Sequence, residues 1–478
     1  MIDGLKPYAD CRDSGLPWLG KIPAHWEVRR TKTQFRLSIE KSGKAHGQEL
    51  LSIYTHIGVR PRKDLEEKGN KASSTDDYWV VRKGDLIVNK LLAWMGAVGV
   101  SHYDGVTSPA YDILRPVKEL VPDFYHYLFR TDLYKQQFKI RSRGIMEMRL
   151  RLYFDQFGQI PIPCPPPEEQ AAIVRFLDHA DRRIRRYIRA KRQLIALLNE
   201  QKQAIIHRAV TRGLDPHVKL KPSGVALLGE VPEHWEVARL RRLIQSRRGL
   251  TYGSLKPGEY DAHGRVMVRA QDFSFGWTSP EKVFRVSPDV EEPYKRCRLL
   301  PGDLLYTVVG AGVGNCAVVP QWLRDSNISR ANARIAVDGS KAIPEFVVLT
   351  LRSALGKEHV EYFSKGSAQP VLNLEYLGTF AIPVPPLSEQ SEILEAVNAE
   401  TVPFDSATER ANREIELLRE HRTRLVADVV VGKLDVRKAA AALSDELETV
   451  EPDAEELLDE DETTDDAKLD TEPEEIEA

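Results

Sequence analysis

The chain of 478 residues is written twice. Segments 14–28 (SGLPWLGKIPAHWEV) and 223–237 (SGVALLGEVPEHWEV) are identical at nine of fifteen positions, at an offset of 209. Further pairs occur in the same order: 83–87 with 301–305, 121–124 with 343–346, 160–170 with 381–390 and 213–215 with 433–435. Such self-similarity indicates that one structural unit occurs twice in tandem. Whatever fold the first half adopts, the second half is predicted to adopt as well.

Each repeat divides into two parts of different character. The first part has short apolar runs punctuated by Gly, Pro and Asp, such as 85–88 and 303–309, which predict strands. Helical patterns are expected near 122–138 and 344–363. The second part contains no glycine, over 168–212 and 388–431, and predicts one long helix in each repeat. The predicted fold class is therefore α/β (α+β): two similar mixed α/β domains joined by two long helices with pseudo-two-fold symmetry.

Apolar residues in the two long segments repeat at heptad spacing, so the helices are predicted to pair through these side chains. Pro403 is expected to kink or restart the second helix near a first-turn position. The first segment carries a charge of +6 and the second −5, which favours an antiparallel intramolecular coiled coil. The alternative is that each helix packs on its own domain. The candidate pairing residues are Ile173, Leu177, Ile184, Leu194, Leu198, Ile205, Ile415, Leu418 and Leu425.

The charge of the chain is unevenly distributed. Residues 444–478 carry −17, so the net −3 of the whole chain leaves +14 on the first 443 residues. A basic body favours a polyanionic partner, and the acidic tail is predicted to be disordered. This tail acts either as a solubilising segment or as a competitor for the basic surface. The predicted segments are a first domain (12–164), a first helix (165–215), a second domain (216–384), a second helix (385–437) and the tail (438–478).

Known catalytic motifs are missing from the sequence. It has no phosphate-binding GxxxxGK[ST], no HExxH, and no Asn/Asp-Pro-Pro-aromatic tetrapeptide. Asp289, Glu292 and Lys295 resemble a nuclease pattern but have the wrong spacing. The four cysteines are far apart, and no apolar run reaches the ~18 residues of a membrane helix. We expect no catalytic or metal site, no membrane segment and a cytoplasmic location.

Basic residues cluster in both repeats, and arginine exceeds lysine among them. A planar guanidinium suits phosphates and guanine edges, so these clusters point to nucleic acid. Each single residue alone is more often an ordinary surface charge. The candidate DNA-binding residues are Arg60, Lys90, Lys139, Arg141, Arg143, Arg149, Arg247, Arg248, Tyr252, Arg330, Arg334 and Gln369.

The ordered motifs resemble the specificity subunits of Type I restriction–modification systems. The resemblance is carried by the SG…HWEV segments, by IPIPCPPPEEQAAIVRFLD and AIPVPPLSEQSEILEAV, by RAVTRGLD and VVVGKLDVR, and by segment 78–114. It covers residues 12–438, and Pro403 and the acidic tail depart from the family pattern.

This resemblance implies a non-catalytic subunit that reads a bipartite, asymmetric duplex DNA target. Each domain would read one half, and the helices would set the gap and dock partner proteins. Implied partners are two modification subunits that use S-adenosylmethionine and restriction subunits that translocate DNA with ATP and Mg. This chain itself would hold no cofactor. Two alternatives are a coiled-coil adaptor that binds proteins and, ranked last, an RNA-binding module.

Overall fold

The computed structural model describes residues 5–43, 47–55, 57–64, 76–144, 150–253, 258–274, 276–364 and 370–443. The predicted tail beyond Leu443 lies outside these residues. The chain forms two compact units: Met1–Arg189 with Glu414–Ala478, and Ala190–Arg413. Each long helix therefore contributes to both units, which the five predicted segments did not anticipate.

Twelve strands and the first four helices belong to the first repeat. The strands are β1 (Cys11–Asp13), β2 (Lys21–Pro23), β3 (Glu27–Arg30), β4 (Phe35–Leu37), β5 (Leu51–Tyr54), β6 (Gly58–Pro61), β7 (Trp79–Val81), β8 (Leu86–Asn89), β9 (Val98–Val100), β10 (Gly105–Thr107), β11 (Tyr111–Pro116) and β12 (Pro161–Cys164). The helices are α1 (Pro122–Phe129), α2 (Asp132–Arg141), α3 (Phe154–Phe157) and α4 (Pro167–Arg212).

The second repeat runs through the same kinds of element. Its strands are β13 (Leu220–Pro222), β14 (Glu230–Pro232), β15 (Glu236–Arg239), β16 (Leu250–Tyr252), β17 (Arg265–Val268), β18 (Arg285–Val286), β19 (Leu304–Thr307), β20 (Cys316–Val318), β21 (Asn327–Ile328), β22 (Asn332–Ile335) and β23 (Ala381–Val384). Its helices are α5 (Pro288–Glu291), α6 (Pro344–Arg352), α7 (Ala354–Ser364), α8 (Leu374–Thr379), α9 (Leu387–Val430) and α10 (Arg437–Ala441).

Strand pairing confirms the duplication. The hairpin β1–β2 corresponds to β13–β14, and the pair β3–β12 corresponds to β15–β23. The main antiparallel sheet has the order β4-β11-β8-β9 in one unit and β16-β22-β19-β20 in the other. The units differ beside this sheet. The first adds the hairpins β5–β6 and β7–β10, whereas the second adds the three-stranded sheet β18-β17-β21.

The ends of the long helices complete the two cores. Ile173 and Leu177 near the start of α4 are buried with Leu425 and Val429 near the end of α9, in the core that also holds Trp26. In the other unit, the core around Trp235 contains Ile206, Ala209 and Val210 from the end of α4 and Ile393 and Val397 from the start of α9. Within each unit the helices thus both pair with each other and pack on the sheet domain, so the two interpretations made from the sequence are both realised.

Charged contacts between the helices run in opposite chain directions, as the sequence charges predict. In the first unit Arg422 of α9 donates to Asp181 of α4. In the second unit Lys202 lies 2.5 Å from Asp405, and Arg208 lies 3.6 Å from Glu400. The partner number falls as the α4 number rises, so the pairing is antiparallel.

Burial along α4 matches the predicted heptads only at first. Ile173, Leu177 and Ile184 are buried, but Leu194 is 41% exposed. Leu198 and Ile205 are half-buried, and Ile206 beside them is buried. A helix of 3.6 residues per turn drifts about 20° per heptad, which shifts the buried face by about one position along this length. On α9, Ile415 and Leu425 are buried and Leu418 is half-buried.

The expectation that Pro403 restarts the second helix is wrong. Helix α9 runs unbroken from Leu387 to Val430 with Pro403 in its interior. Pro403 and Ala399, whose carbonyl loses its amide partner, are both on the exposed side of the helix. Water can hydrate that carbonyl, so the missing hydrogen bond does not break the helix.

Candidate nucleic-acid interface

A basic depression of about 480 Å³ lies on the second unit. It is built where the segment before β16, the segment before β19 and strand β22 meet. Five arginines and one lysine contribute to it, with little apolar surface. Its lining residues are Arg247, Arg248, Leu250, Thr251, Lys295, Arg296, Arg298, Leu300 and Arg334.

Two of these arginines are fixed by buried carboxylates. Arg248 donates to both oxygens of Asp303, at 2.6 and 2.7 Å, and Asp303 is only 4% exposed. Arg298 donates to both oxygens of Glu291, at 2.8 and 2.7 Å. Burial alone would raise the pKa of Glu291, but hydrogen bonds from Arg298 and Asn327 outweigh it, and the pKa falls below its ordinary value. Both ion pairs therefore persist at neutral pH.

Arg334 is the floor of the depression. It is 3% exposed, and its guanidinium donates to the backbone carbonyls of Arg296 (2.7 Å) and Arg298 (3.2 Å) and to that of Arg248. Burial lowers the pKa of Arg334. Its contacts tie together the two segments that carry the other arginines, so its side chain positions the depression.

Three cations remain at the rim. Arg247 and Arg296 are exposed, and their side chains form no hydrogen bond or ion pair with the described part of the chain. Lys295 is 68% exposed and lies 3.4 Å from Glu292. An exposed charge held over a fixed floor can meet a phosphate or a base edge without first breaking an internal contact. The rim is therefore the part of the depression suited to a polyanion.

The other predicted residues of the second unit are divided. Tyr252 is 36% exposed, and its hydroxyl accepts a hydrogen bond from the Leu374 amide at 3.0 Å. Arg330 is exposed in the turn between β21 and β22. Gln369 lies outside the described residues. Sequence reasoning missed Lys295, Arg296 and Arg298, although three basic residues within four positions were a signal for them.

In the first unit most predicted DNA-binding side chains have an internal partner. Arg60 donates to the Tyr103 hydroxyl (2.6 Å), and Lys90 donates to the Pro109 carbonyl (2.9 Å). Arg141 donates to the Gln137 side chain.

Two of the first unit's candidates are exposed. Lys139 lies over the Trp94 ring at 5.1 Å from its centre, and Arg143 is 3.1 Å from Asp155. Arg149 is outside the described residues. Lys139 and Arg143, near the end of α2, remain the predicted contacts of this unit.

The motif residues shared by the repeats have a structural role instead. Gln170 accepts from the Val121 amide (2.9 Å) and donates to the Pro165 carbonyl (2.8 Å). Gln390 makes the matching bonds to Ile343 and Pro385. Each glutamine thus ties the start of a long helix to the sheet domain beside it.

No cluster of three potential metal-ligating side chains occurs in the described residues. The carboxylate of Glu292, part of the near-miss nuclease pattern, is bound by Arg298 at 2.6 Å. No helix among these residues is long and apolar enough to cross a membrane.

A duplicated α/β domain with two long paired helices and a basic depression defines a two-part recognition protein. The chain belongs to the family described as the Type I restriction modification DNA specificity domain, whose model matches residues 54–195 and 232–417. The family confirms the resemblance carried by the repeated motifs. The chain is accordingly a DNA sequence-recognition subunit of a Type I restriction–modification system.

Individual relatives agree. The chain is 27% identical over 279 residues to the Type I restriction enzyme EcoBI specificity subunit of Escherichia coli, covering 57% of this chain and 58% of that subunit. It is 23% identical over 428 residues to the MjaVIII specificity subunit of Methanocaldococcus jannaschii, covering 87% and 95%. A chain in a solved structure of the type I R-M system matches with a TM-score of 0.61 and 17% identity, covering 86% and 99%; this likeness concerns the fold.

Proposed function

We propose that each repeat reads one half of an asymmetric, bipartite duplex DNA target, and that α4 and α9 set the gap between the halves. The observation that carries this proposal is the arginine depression of the second unit, whose rim cations are held by a buried frame of ion pairs. Arginine recognises guanine edges and phosphates through paired donors. The first repeat carries different residues at its own surface, so the two half-sites differ.

The chain acts without chemistry of its own. Its basic groups are saturated guanidinium and ammonium cations, which bind anions but supply no general base at neutral pH. Methyl transfer from S-adenosylmethionine and ATP- and Mg-dependent translocation belong to the modification and restriction subunits with which it assembles in the cytoplasm. Two modification subunits, one for each repeat, fit the duplicated fold.

The first experiment separates reading from positioning within the depression. Arg247→Ala removes a rim charge without an internal partner among the described residues, so we expect altered base preference in one half-site and unchanged stability. Arg324→Ala is the matched control, because Arg324 is exposed on the same unit but does not line the depression. The readout is selection from a random duplex library by the assembled complex. Equal loss of discrimination in both halves would mean that Arg247 contacts only phosphate.

The second experiment tests the spacing role. Four residues inserted after Lys202 and four after Asp405 lengthen both helices at a level where they are in contact. At 1.5 Å per residue the addition is about 6 Å, or about two base pairs. We expect the unread gap in the methylated sites to grow by about two base pairs. A gap of unchanged length would show that the helices do not determine it.

A further inference from the structure

Basic residues line one face of α4 within the first unit. They recur at intervals of four, seven, eleven and fourteen residues from the first, which places each within about 40° of the first around the helix. At 1.5 Å per residue the line is about 21 Å long. We call this line the α4 stripe; its members are Arg175, His179, Arg182, Arg186 and Arg189.

The α4 stripe lies opposite the face that packs in the core. Leu177 and Ile184, on the opposite side of the helix, are buried, whereas Arg182 and Arg186 are exposed. The two aspartates of this stretch have partners of their own. Asp178 accepts from the Tyr127 hydroxyl at 2.6 Å, and Asp181 pairs with Arg185 and Arg422. The stripe is therefore an exposed face of the helix on which positive charge predominates.

The chain leaves the described fold at the start of this stripe. Arg175 donates to the backbone carbonyl of Leu443 at 2.6 Å. Val436 and Ala440 are buried in the core of the first unit, so α10 is fixed and Leu443 has a defined place beside α4. The segment after Leu443 therefore begins within reach of the stripe.

That segment is strongly acidic. Residues 444–462 contain eleven Asp/Glu and no Lys or Arg. An extended chain advances at most about 3.3–3.6 Å per residue, so about seven residues are enough to span the stripe. Tethering at Leu443 keeps this segment at a high effective concentration near the arginines. Opposite charge, length and point of attachment all agree.

We propose that the acidic segment 444–478 docks along the α4 stripe and screens it from other polyanions such as duplex DNA. The docked segment acts as an internal counter-anion. It is held at one end by the Arg175–Leu443 contact and along its length by the exposed arginines. Sequence-independent DNA binding through this face of α4 is thereby reduced. The proposal does not depend on which half-site each unit reads.

A distance measurement on the full chain tests the docking. Spin labels at Ala190→Cys and Thr449→Cys, in a Cys11→Ser background, report the separation between the far end of the stripe and the acidic segment. At 50 mM NaCl we expect a narrow distribution below about 25 Å, which broadens and lengthens at 500 mM because salt screens the attraction. The variant Arg182→Gln/Arg186→Gln should show the broad distribution at both salt concentrations. The control Arg208→Gln/Arg212→Gln, on the same helix in the second unit, should keep the narrow one.

A second measurement tests the screening. Neutralising the seven acidic residues of 445–456 to Asn or Gln should tighten binding of a non-target duplex several-fold at 50 mM NaCl and little at 300 mM. Adding Arg182→Gln/Arg186→Gln should abolish that gain. A distance distribution that is the same with and without the stripe arginines overturns the docking. A DNA affinity that is unaffected by neutralising the segment overturns the screening.

Discussion

In both units a glutamate at the start of a long helix binds the His-Trp pair that comes after the first hairpin, but its partners differ. Glu389 contacts His234 at 2.8 Å and accepts from the Trp235 indole at 3.0 Å. Glu169 contacts His25 at 2.7 Å, and its other oxygen accepts from the Tyr8 hydroxyl at 2.6 Å. The repeat preserves the glutamate and varies what it binds.

The Gly-Asp turns before β8 and β19 show the same contrast. Gly84 and Gly302 have φ near +90°, a conformation that favours glycine. The aspartate after each glycine is buried and clamped by two bonds from an arginine, but the arginines come from different places: Arg115 on β11 and Arg248 before β16.

This difference decides where a basic surface can form. Arg115 also meets Glu40 at 3.6 Å, so its charge is largely balanced. Arg248 instead lies among other cations in the depression. Residues that repeat build the frame, and residues that do not repeat give each unit its own surface.

Removing a clamped aspartate should have the largest effect. Asp303→Ala leaves the guanidinium of Arg248 without its carboxylate, and loss of one member of a buried pair costs about 3–5 kcal/mol of unfolding free energy. We expect Asp303→Ala to destabilise the second unit and Asp85→Ala the first. The measurement is urea unfolding with brief proteolysis at each urea concentration, and peptides from each unit are counted by mass spectrometry.

The double variant Asp303→Asn/Arg248→Gln is the control for this clamp. It removes both charges, keeps an acceptor for the Leu300 amide, and should recover most of the lost stability. If either aspartate variant destabilised both units equally, the clamps would not be local to their own sheets.

The two tryptophans offer a matched pair with a smaller effect. The Trp235 indole donates to a carboxylate, and a hydrogen bond to a charged group is worth about 1.5–3 kcal/mol. The Trp26 indole N–H is buried and has no acceptor among the described residues, because Tyr8 takes that oxygen of Glu169. Trp235→Phe should therefore cost about 2 kcal/mol more than Trp26→Phe in the same unit-resolved unfolding measurement. Equal costs would show that the Glu389 bond contributes nothing net.

Much of this frame was predictable from the sequence. Repeated local patterns located the strands β8 and β19, both long helices and their opposite charges, because each is specified by residues close together in the chain. The repeated Glu-Gln and His-Trp motifs were visible too, but not that they bind each other, since they are separated by more than 140 residues.

The depression was less accessible. It joins Arg247, the segment 295–298 and Arg334, which only the fold brings together. Sequence also could not show that Arg248 and Arg334 are engaged inside, since this depends on Asp303 and on backbone carbonyls. Whether the predicted residues contact DNA stays a prediction.

Pro403 tests the continuity of α9 at an intermediate magnitude. The corresponding position of α4, at an offset of 220, is Arg183, which donates a normal helical amide. Pro403→Ala restores the missing amide, and we expect the second unit to gain about 1–2 kcal/mol, less than the full proline penalty because the orphan carbonyl is on the exposed side. The check is the urea midpoint of second-unit peptides. A loss of stability would indicate that the helix depends on the fixed φ of proline.

The smallest expected effect concerns pH and distinguishes α1 from α6. His126 on α1 lies in the first unit, where its Nδ1 accepts from the Val100 amide; the matching position on α6, at an offset of 222, is Val348. Burial, and then the charge of Arg130, holds the pKa of His126 well below its ordinary 6.5.

Between pH 6.5 and that lower value the unfolded chain binds a proton that the folded unit does not, so falling pH favours unfolding. From pH 7.5 to 5.5 the first unit should lose about 1 kcal/mol on this account. His126→Val, which copies the second repeat, should weaken that pH dependence even if it lowers stability at pH 7.5 through loss of the Val100 bond. His359 titrates in the second unit, where burial also lowers its pKa, so the comparison is made within the first unit, between the original chain and the variant. An identical pH slope in the two proteins would mean that His126 takes up its proton equally in the folded and unfolded states.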